Sequence, residues 1–279
     1  MIKLKNQSYT DSTIPLLSIV CITFNHEHFI TDAIESFLNQ ITSFPVEILI
    51  HDDASNDNTA NIIIDYKNKY PTLIKPILQE INQFSKNGFE FSLNELNRAK
   101  GKYIALCEGD DYWTDSFKLQ KQVDFLEENY NFSFTFHRVK IKNELNCSVE
   151  EYSIPQKNIL NFTDLAKKHI IPTCSVVLRN KFLPRPFPIW YSKSKMGDIP
   201  LELMLAHKGP VYFFPIEMGV YRKNRYSLTE SISQKKESRR AYIFVYKNLN
   251  QYFDYKYFHI FIMKIFKMYL GFIKDLISK

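Results

Sequence analysis

Five carboxylates crowd into two short stretches of this chain, Asp52-Asp53 and Glu108-Gly109-Asp110-Asp111. Each stretch follows an apolar run, residues 46–50 and 103–107, that reads as a strand buried on both faces. Like charges grouped beside a low-dielectric sheet need a cation, a donor or a proton to relieve them. A divalent ion with oxygen ligands is the natural relief, and Mg²⁺ or Mn²⁺ bridging phosphates is its usual form. Taken singly, Asp52, Asp53 and Asp57 fit ordinary helix caps equally well. Three carboxylates within residues 108–111 exceed what one cap needs.

The elements that must position these groups alternate. Residues 16–22 form a nearly continuous apolar run, followed by the polar loop Thr23-Phe24-Asn25-His26-Glu27 and an amphipathic helix over 28–40. After the strand at 46–50 a helix starts near Asp57-Asn58-Thr59. A third strand is expected at 73–78, where Pro76 pushes it to an edge. A helix at 89–98, the turn Gly101-Lys102, the strand at 103–107 and a helix at 119–128 complete a run of βαβ units. Such sheets bind ligands beyond the carboxyl ends of their strands, where both acidic stretches fall. Beyond residue 132 the alternation loosens, with short strands expected at 132–136, 174–178 and 211–214 and a helix at 199–206 headed by Asp198.

Composition narrows the class. With 45% apolar and 15% aromatic residues over 279 positions, the chain can fill a core and is not disordered. The net charge of +6 suits anionic small molecules or an anionic membrane surface and does not single out nucleic acid. Cys21, Cys107, Cys147 and Cys174 lack the spacing of a zinc site and read as reduced thiols. The polar start lacks the apolar core of a signal peptide, and no run of about 18 apolar residues exists to span a bilayer. The expectation is a cytoplasmic protein, peripheral on the inner face of the membrane if bound there. After residue 236 the text is dense in Phe, Tyr, Ile and Lys, with Lys256, Lys264 and Lys267 on one side of a wide apolar arc. Two readings compete: a helix pair packed on the protein or across a dimer, or an amphipathic element in an anionic membrane surface.

Five strings in order resemble the family 2 glycosyltransferases of the GT-A fold. They are Ser18-Ile19-Val20-Cys21-Ile22-Thr23-Phe24-Asn25, Ala33-Ile34-Glu35-Ser36-Phe37-Leu38-Asn39-Gln40, His51-Asp52-Asp53-Ala54-Ser55-Asn56-Asp57, Ala99-Lys100-Gly101-Lys102-Tyr103-Ile104-Ala105 and Glu108-Gly109-Asp110-Asp111-Tyr112-Trp113. The resemblance runs over residues 16–130 and more loosely over 170–229. It implies a Rossmann-related, mixed but mainly parallel sheet flanked by helices. In residue terms it implies a domain at 1–235, with a nucleotide-sugar and metal half at about 14–130 and an acceptor half at about 131–235, and a helical tail at 236–279.

The resemblance also implies roles. The loop with Thr23 and Asn25 closes over the nucleotide, and Asp53 reads the base. Glu108-Gly109-Asp110 stands at the family's Asp-x-Asp motif, with Asp110 on the metal, Glu108 toward the ribose and Asp111 beside them. Lys86 meets a phosphate. Asp198 of Gly197-Asp198 is the catalytic base for an acceptor hydroxyl in an inverting transfer, with Glu202 as fallback. In Tyr221-Arg222-Lys223-Asn224 the family's histidine position holds Asn224, so Arg222, Lys223 and Arg225 are expected to supply positive charge. His137, His169, His207 and His259 read as structural, and Trp113 and Trp190 either stack on sugars or pack internally. The implied activity is transfer from a nucleotide diphosphate sugar, with UDP as nucleotide, to a saccharide or lipid-linked saccharide of a bacterial surface polysaccharide. Two rivals remain: a sugar-phosphate nucleotidyltransferase, disfavoured because residues 23–28 lack glycine and lysine, and a non-catalytic binding subunit, kept open by Glu108 and Asn224.

Overall fold

The computed structural model describes residues 1–7, 10, 12–224 and 235–277. Strand β2 (Leu17–Thr23) is mostly apolar and almost wholly buried because it lies between two neighbours with both faces covered. Leu17, Ile19 and Cys21 enter one core and Val20 the other, as a period of two requires. It pairs in parallel with β4 (Val46–Asp52) and β6 (Tyr103–Leu106), and β4 pairs in parallel with β5 (Ile74–Leu78). Pro76 sits in β5 at the edge of the sheet, where a missing amide is tolerated.

On the other side of β6 the pairing turns antiparallel at β11 (Val177–Arg179), which also pairs with β8 (Phe134–Asn143). Strand β12 (Val211–Lys223) then runs parallel to β8 and antiparallel to β7 (Tyr112–Trp113) and β10 (Ile159–Leu160). The result is the mixed, largely parallel sheet expected of a Rossmann-related α/β fold. Strands β8 and β12 are longer than expected; β12 is interrupted by register shifts at Phe214/Glu217 and Glu217/Gly219.

Helix α1 (Ile30–Leu38) buries Ile30, Ala33, Ile34, Phe37 and Leu38 on one side of the sheet. Helices α2 (Thr59–Lys69), α3 (Gln83–Asn87), α4 (Glu90–Arg98) and α5 (Lys118–Glu128) complete the first half. After α6 (Phe162–Lys167) and α7 (Ile189–Ser192), α8 (Asp198–Ala206) is buried from Ile199 to Ala206, so it needs cover all round. Two C-terminal helices share its core: α9 (Lys235–Tyr252) gives Ile243, Val245, Tyr246 and Leu249, and α10 (Phe258–Ile277) gives Ile260, Phe261 and Ile265. Phe162 of α6 stacks on Tyr257 at 3.8 Å between ring centroids.

The inner faces of α9 and α10 therefore form a helix pair packed on the second half of the fold. The outer face of α10 leaves Met263, Phe266, Tyr269, Leu270 and Ile273 exposed. No described helix is long and apolar enough to cross a membrane. Cys21, Cys107 and Cys174 are buried and Cys147 is exposed, all unpaired thiols.

Candidate active site

The first wall of the site is two loops laced together. The amide of Asn25 donates to Ser55 Oγ at 2.8 Å, and Asn25 Oδ1 accepts from the amide of Asn56 at 2.8 Å. The amide of Glu27 donates to Asp57 Oδ2, and Glu27 Oε2 accepts from the amide of Asn58. Asn25 holds a φ of 56° and Ala54 one of 63°, so both turns bend through the left-handed region. Asp52 accepts from both the amide and the hydroxyl of Ser55, and Asp57 accepts from the amide of Thr59, so both carboxylates brace the loop following β4.

Asp53 is 2% exposed. Its two oxygens accept the amides of Gln83 and Phe84 at 2.6 and 3.0 Å, capping α3. Burial alone would push its carboxyl up, but His51 and those amides outweigh burial and hold the group below its ordinary range. Lys86 lies exposed on α3. Asp53 and Lys86 thus flank one loop, and no contact joins either to the second acidic stretch.

That stretch is drawn against β2. The amide of Gly109 donates to Ile22 O at 2.9 Å, and a side chain at Gly109 would place its Cβ 2.5 Å from Thr23 Oγ1. Only glycine allows this approach. The acids then splay. Asp111 Oδ1 accepts the amide of Arg222 at 2.7 Å, and Asp110 Oδ2 accepts the side-chain amide of Asn224 at 2.8 Å. Glu108 Oε2 is enclosed without a hydrogen-bond partner. Burial, then the charge of Asp110, push Glu108 up to about 8, and burial pushes Asp111 up as well.

His26, next to Asn25 in sequence, brings Nε2 to 3.8 Å from Asp110 Oδ2. It is 7% exposed and its Nδ1 has no hydrogen-bond partner. Its place in the loop after β2 was a local signal the sequence reading passed over.

The expectation that Arg222 and Lys223 offer free positive charge is corrected. The Arg222 guanidinium donates to Asp32, to Glu144 and to the Asp110 carbonyl, with the Tyr112 ring 4.4 Å away. It clamps the acidic loop. Lys223 pairs with Glu150 at 3.1 Å, and Arg225 lies outside the described residues. Trp113 is buried, donates Nε1 to Cys174 O and carries the Lys118 ammonium over its ring at 3.8 Å, so it is an internal side chain. Trp190 is half-buried against the core.

Asp198 opens α8, with its side chain about a third exposed. Its charge adds to the upward push on Glu108, so the two carboxylates lie within electrostatic reach of each other. His169 is not the isolated structural histidine expected: its Nε2 lies 3.0 Å from Glu202 Oε2 and 3.7 Å from Asp198 Oδ2. No local sequence pattern announces that meeting. A concavity of about 710 Å³ lined by Leu16, Pro45, Lys100, Gly101 and Lys102 opens at the amino ends of the strands, away from these acids.

Among the described residues no three His, Cys, Asp or Glu side chains form a protein-only metal cage. The orphaned Glu108 oxygen and the crowded acids instead fit an ion held by one or two carboxylates and completed by phosphates and water, as Mg²⁺ and Mn²⁺ commonly are.

The model of the family described as glycosyl transferase family 2 matches residues 18–183. Uncharacterized proteins of Mycobacterium tuberculosis and Mycobacterium bovis are 36% identical over 222 residues, which is 77% of this chain and 61% of theirs. The chain therefore spans about three-fifths of the length of those relatives. The Escherichia coli UDP-Glc:alpha-D-GlcNAc-diphosphoundecaprenol beta-1,3-glucosyltransferase WfgD is 32% identical over 66% of this chain and 72% of its own. Staphylococcus aureus TarS 1–349 in complex with UDP superposes with a TM-score of 0.61 at 17% identity, covering 84% of this chain and 65% of that one. The mannosyltransferase PcManGT of Pyrobaculum calidifontis, with GDP-Man and Mn²⁺, superposes at 0.59 and 14% identity over 88% and 67%. Both show the likeness of fold.

Proposed function

The chain belongs to glycosyl transferase family 2, and on that premise we propose that it transfers a sugar from a UDP-sugar to a saccharide or lipid-linked saccharide acceptor, with inversion. The observation that carries this reading is the gathering of Glu108, Asp110 and Asp111 after β6, with Asp198 at the head of α8 near enough to add to the upward push on Glu108. The nucleotide choice is supported by the UDP in the name of the E. coli relative and in the TarS complex. The product is a bacterial surface polysaccharide, made at the cytoplasmic face of the membrane.

Thr23 and Asn25 shape the nucleotide loop, and Asp53 with Lys86 borders it. Asp110, with Glu108 and Asp111 nearby, would hold Mg²⁺ or Mn²⁺, which when bound neutralises charge growing on the departing diphosphate. Asp198 accepts the proton of the acceptor hydroxyl as that oxygen bonds to the anomeric carbon. The bond from that carbon to the diphosphate oxygen breaks, and its electron pair leaves with the diphosphate. A lone general base taking the acceptor's proton, as assigned to Asp198, is the arrangement of an inverting transfer.

Thermal shift against UDP-, GDP- and other nucleotide sugars, with and without Mn²⁺, tests the reading. Stabilisation by a UDP-sugar that grows with Mn²⁺ is expected. A shift given equally by a nucleoside triphosphate with a sugar phosphate would favour the nucleotidyltransferase reading. Donor binding without turnover on any acceptor would favour a binding subunit.

A further inference from the structure

We propose that His169 is a positioning residue for the Asp198 base, its imidazolium lying between Asp198 and Glu202 on one face of α8 so that Asp198 stays free to accept a proton. This rests on the reading of Asp198 as base and adds to it a residue the family match does not assign.

The geometry comes first. Asp198 and Glu202 are four residues apart on one helix and so share a face. Glu202 is 5% exposed. A carboxylate as enclosed as Glu202, one helical turn from a second one, shares a proton with it unless a compensating charge stands beside them. His169, following α6, places Nε2 3.0 Å from Glu202 and 3.7 Å from Asp198, contacts of charge rather than aligned hydrogen bonds, and that nitrogen is closed off from solvent.

The surrounding groups leave this role to His169. Tyr152, Tyr191 and Tyr242 face the two acids as neutral phenols, and Glu108 adds negative charge from the acidic loop. Lys264 of α10 is the other cation facing His169, and it acts against the imidazolium. Burial would push His169 down, yet Glu202 and then Asp198 raise it to about 9. Burial pushes Glu202 up to about 7 even with His169 beside it.

The consequence concerns the base. With His169 in place, its positive charge beside the pair leaves Asp198 free to take the acceptor's proton. Without it, the two carboxylates on one face of α8 have only each other, and a proton shared between them occupies the base before the acceptor binds.

The test is the pH–rate profile of His169→Gln, alone and with Glu202→Gln, alongside titration of the His169 ring by ¹⁵N NMR in the unmodified protein and in Glu202→Gln. In His169→Gln the acidic limb of kcat is expected to move up by about 1–3 pH units. Turnover at pH 7 should fall about tenfold or more and recover in alkali, with UDP-sugar affinity within about twofold. Adding Glu202→Gln should bring the limb back, since the competing carboxylate is gone. The His169 ring should titrate well above an ordinary histidine and fall in Glu202→Gln, a readout that survives if His169→Gln does not fold. A uniform loss of kcat at every pH, or a ring that titrates unchanged in Glu202→Gln, overturns the proposal. Full turnover by Asp198→Asn would instead overturn the base reading beneath it.

Discussion

Asn224 donates its side-chain amide to the carboxylate of Asp110 at 2.8 Å, tying the residue after β12 to the acidic loop after β6. The two are joined again at Arg222, whose guanidinium holds the Asp110 carbonyl and whose amide holds Asp111. The acidic loop is thus set from two sides, by β2 through Gly109 and by the end of β12.

Asp110→Asn is expected to lower transfer at least about a hundredfold, the scale of losing a main electrostatic stabiliser. The melting temperature should change little, because the loop contributes little to either core. Steady-state kinetics with added Mn²⁺ and a thermal melt check this together. Near-normal turnover by the folded variant after chelator treatment would remove the metal-dependent mechanism.

Gly109→Ala should be more damaging than its size suggests. The added Cβ would stand 2.5 Å from Thr23 Oγ1, 2.7 Å from Thr23 Cβ and 3.0 Å from Ile30 Cδ1. The two closest atoms belong to the short, buried, β-branched Thr23 side chain, which has little room to yield, so the loop must move off β2. A loss of about 1–3 kcal/mol in urea unfolding is expected, together with weakened UDP-sugar binding as Asp110 shifts. Unchanged stability and binding would mean the loop has room the packing does not show.

The first half of this fold was legible because its signals are local. Each strand of the βαβ run is a short apolar string, and each acidic group stands at the end of one. The second half hides its signals. In β8 the buried Val139 and Ile141 alternate with Arg138, Lys140 and Lys142, but the polar pair His137-Arg138 makes the strand look finished. In β12, Pro215 and two register shifts break the alternation midway. The roles of Arg222 and His169 were illegible for a different reason. Asp32 is 190 positions from Arg222, and the helix that carries Glu202 meets His169 only through the folded sheet.

Lys118 offers a test of buried charge. It is fully buried, and its Nζ has no hydrogen-bond partner, only the Trp113 ring face. Burial lowers it to about 7. Since the folded protein holds this proton more weakly than the unfolded chain does, its contribution is most favourable above the unfolded value of 10.5 and is lost as pH falls toward 7. Lys118→Met should flatten the rise of stability between those two pH values. At pH 7 it should stabilise by about 1 kcal/mol, the relieved desolvation exceeding the lost cation–π contact. Denaturant melts at several pH values read both effects, and a variant destabilised at every pH would show that the ring contact dominates.

The outer face of α10 decides whether the protein docks on a membrane. Met263 and Phe266 are each 58% exposed, while Phe261 and Ile265 on the inner face are buried. Lys267 is exposed on that face and Lys256 is exposed just before the helix, so the chemistry offered outward is apolar with cations alongside, which suits an anionic lipid surface. Truncation after residue 235 cannot test this, because it would strip Phe253 and Phe261 from the shared core and should unfold the acceptor half. Met263→Glu with Phe266→Glu leaves the inner face alone. The double variant should keep its melting temperature and UDP-sugar affinity yet lose binding to vesicles containing phosphatidylglycerol. The unmodified protein should bind them less as salt rises from 0.05 to 0.5 M, since a Debye length of about 10 Å at 0.1 M shortens with ionic strength. Vesicle binding that survives the double substitution would place the membrane contact elsewhere. Loss of a dimer in the variant, with no vesicle binding by either protein, would mean that a second copy of the chain covers this face.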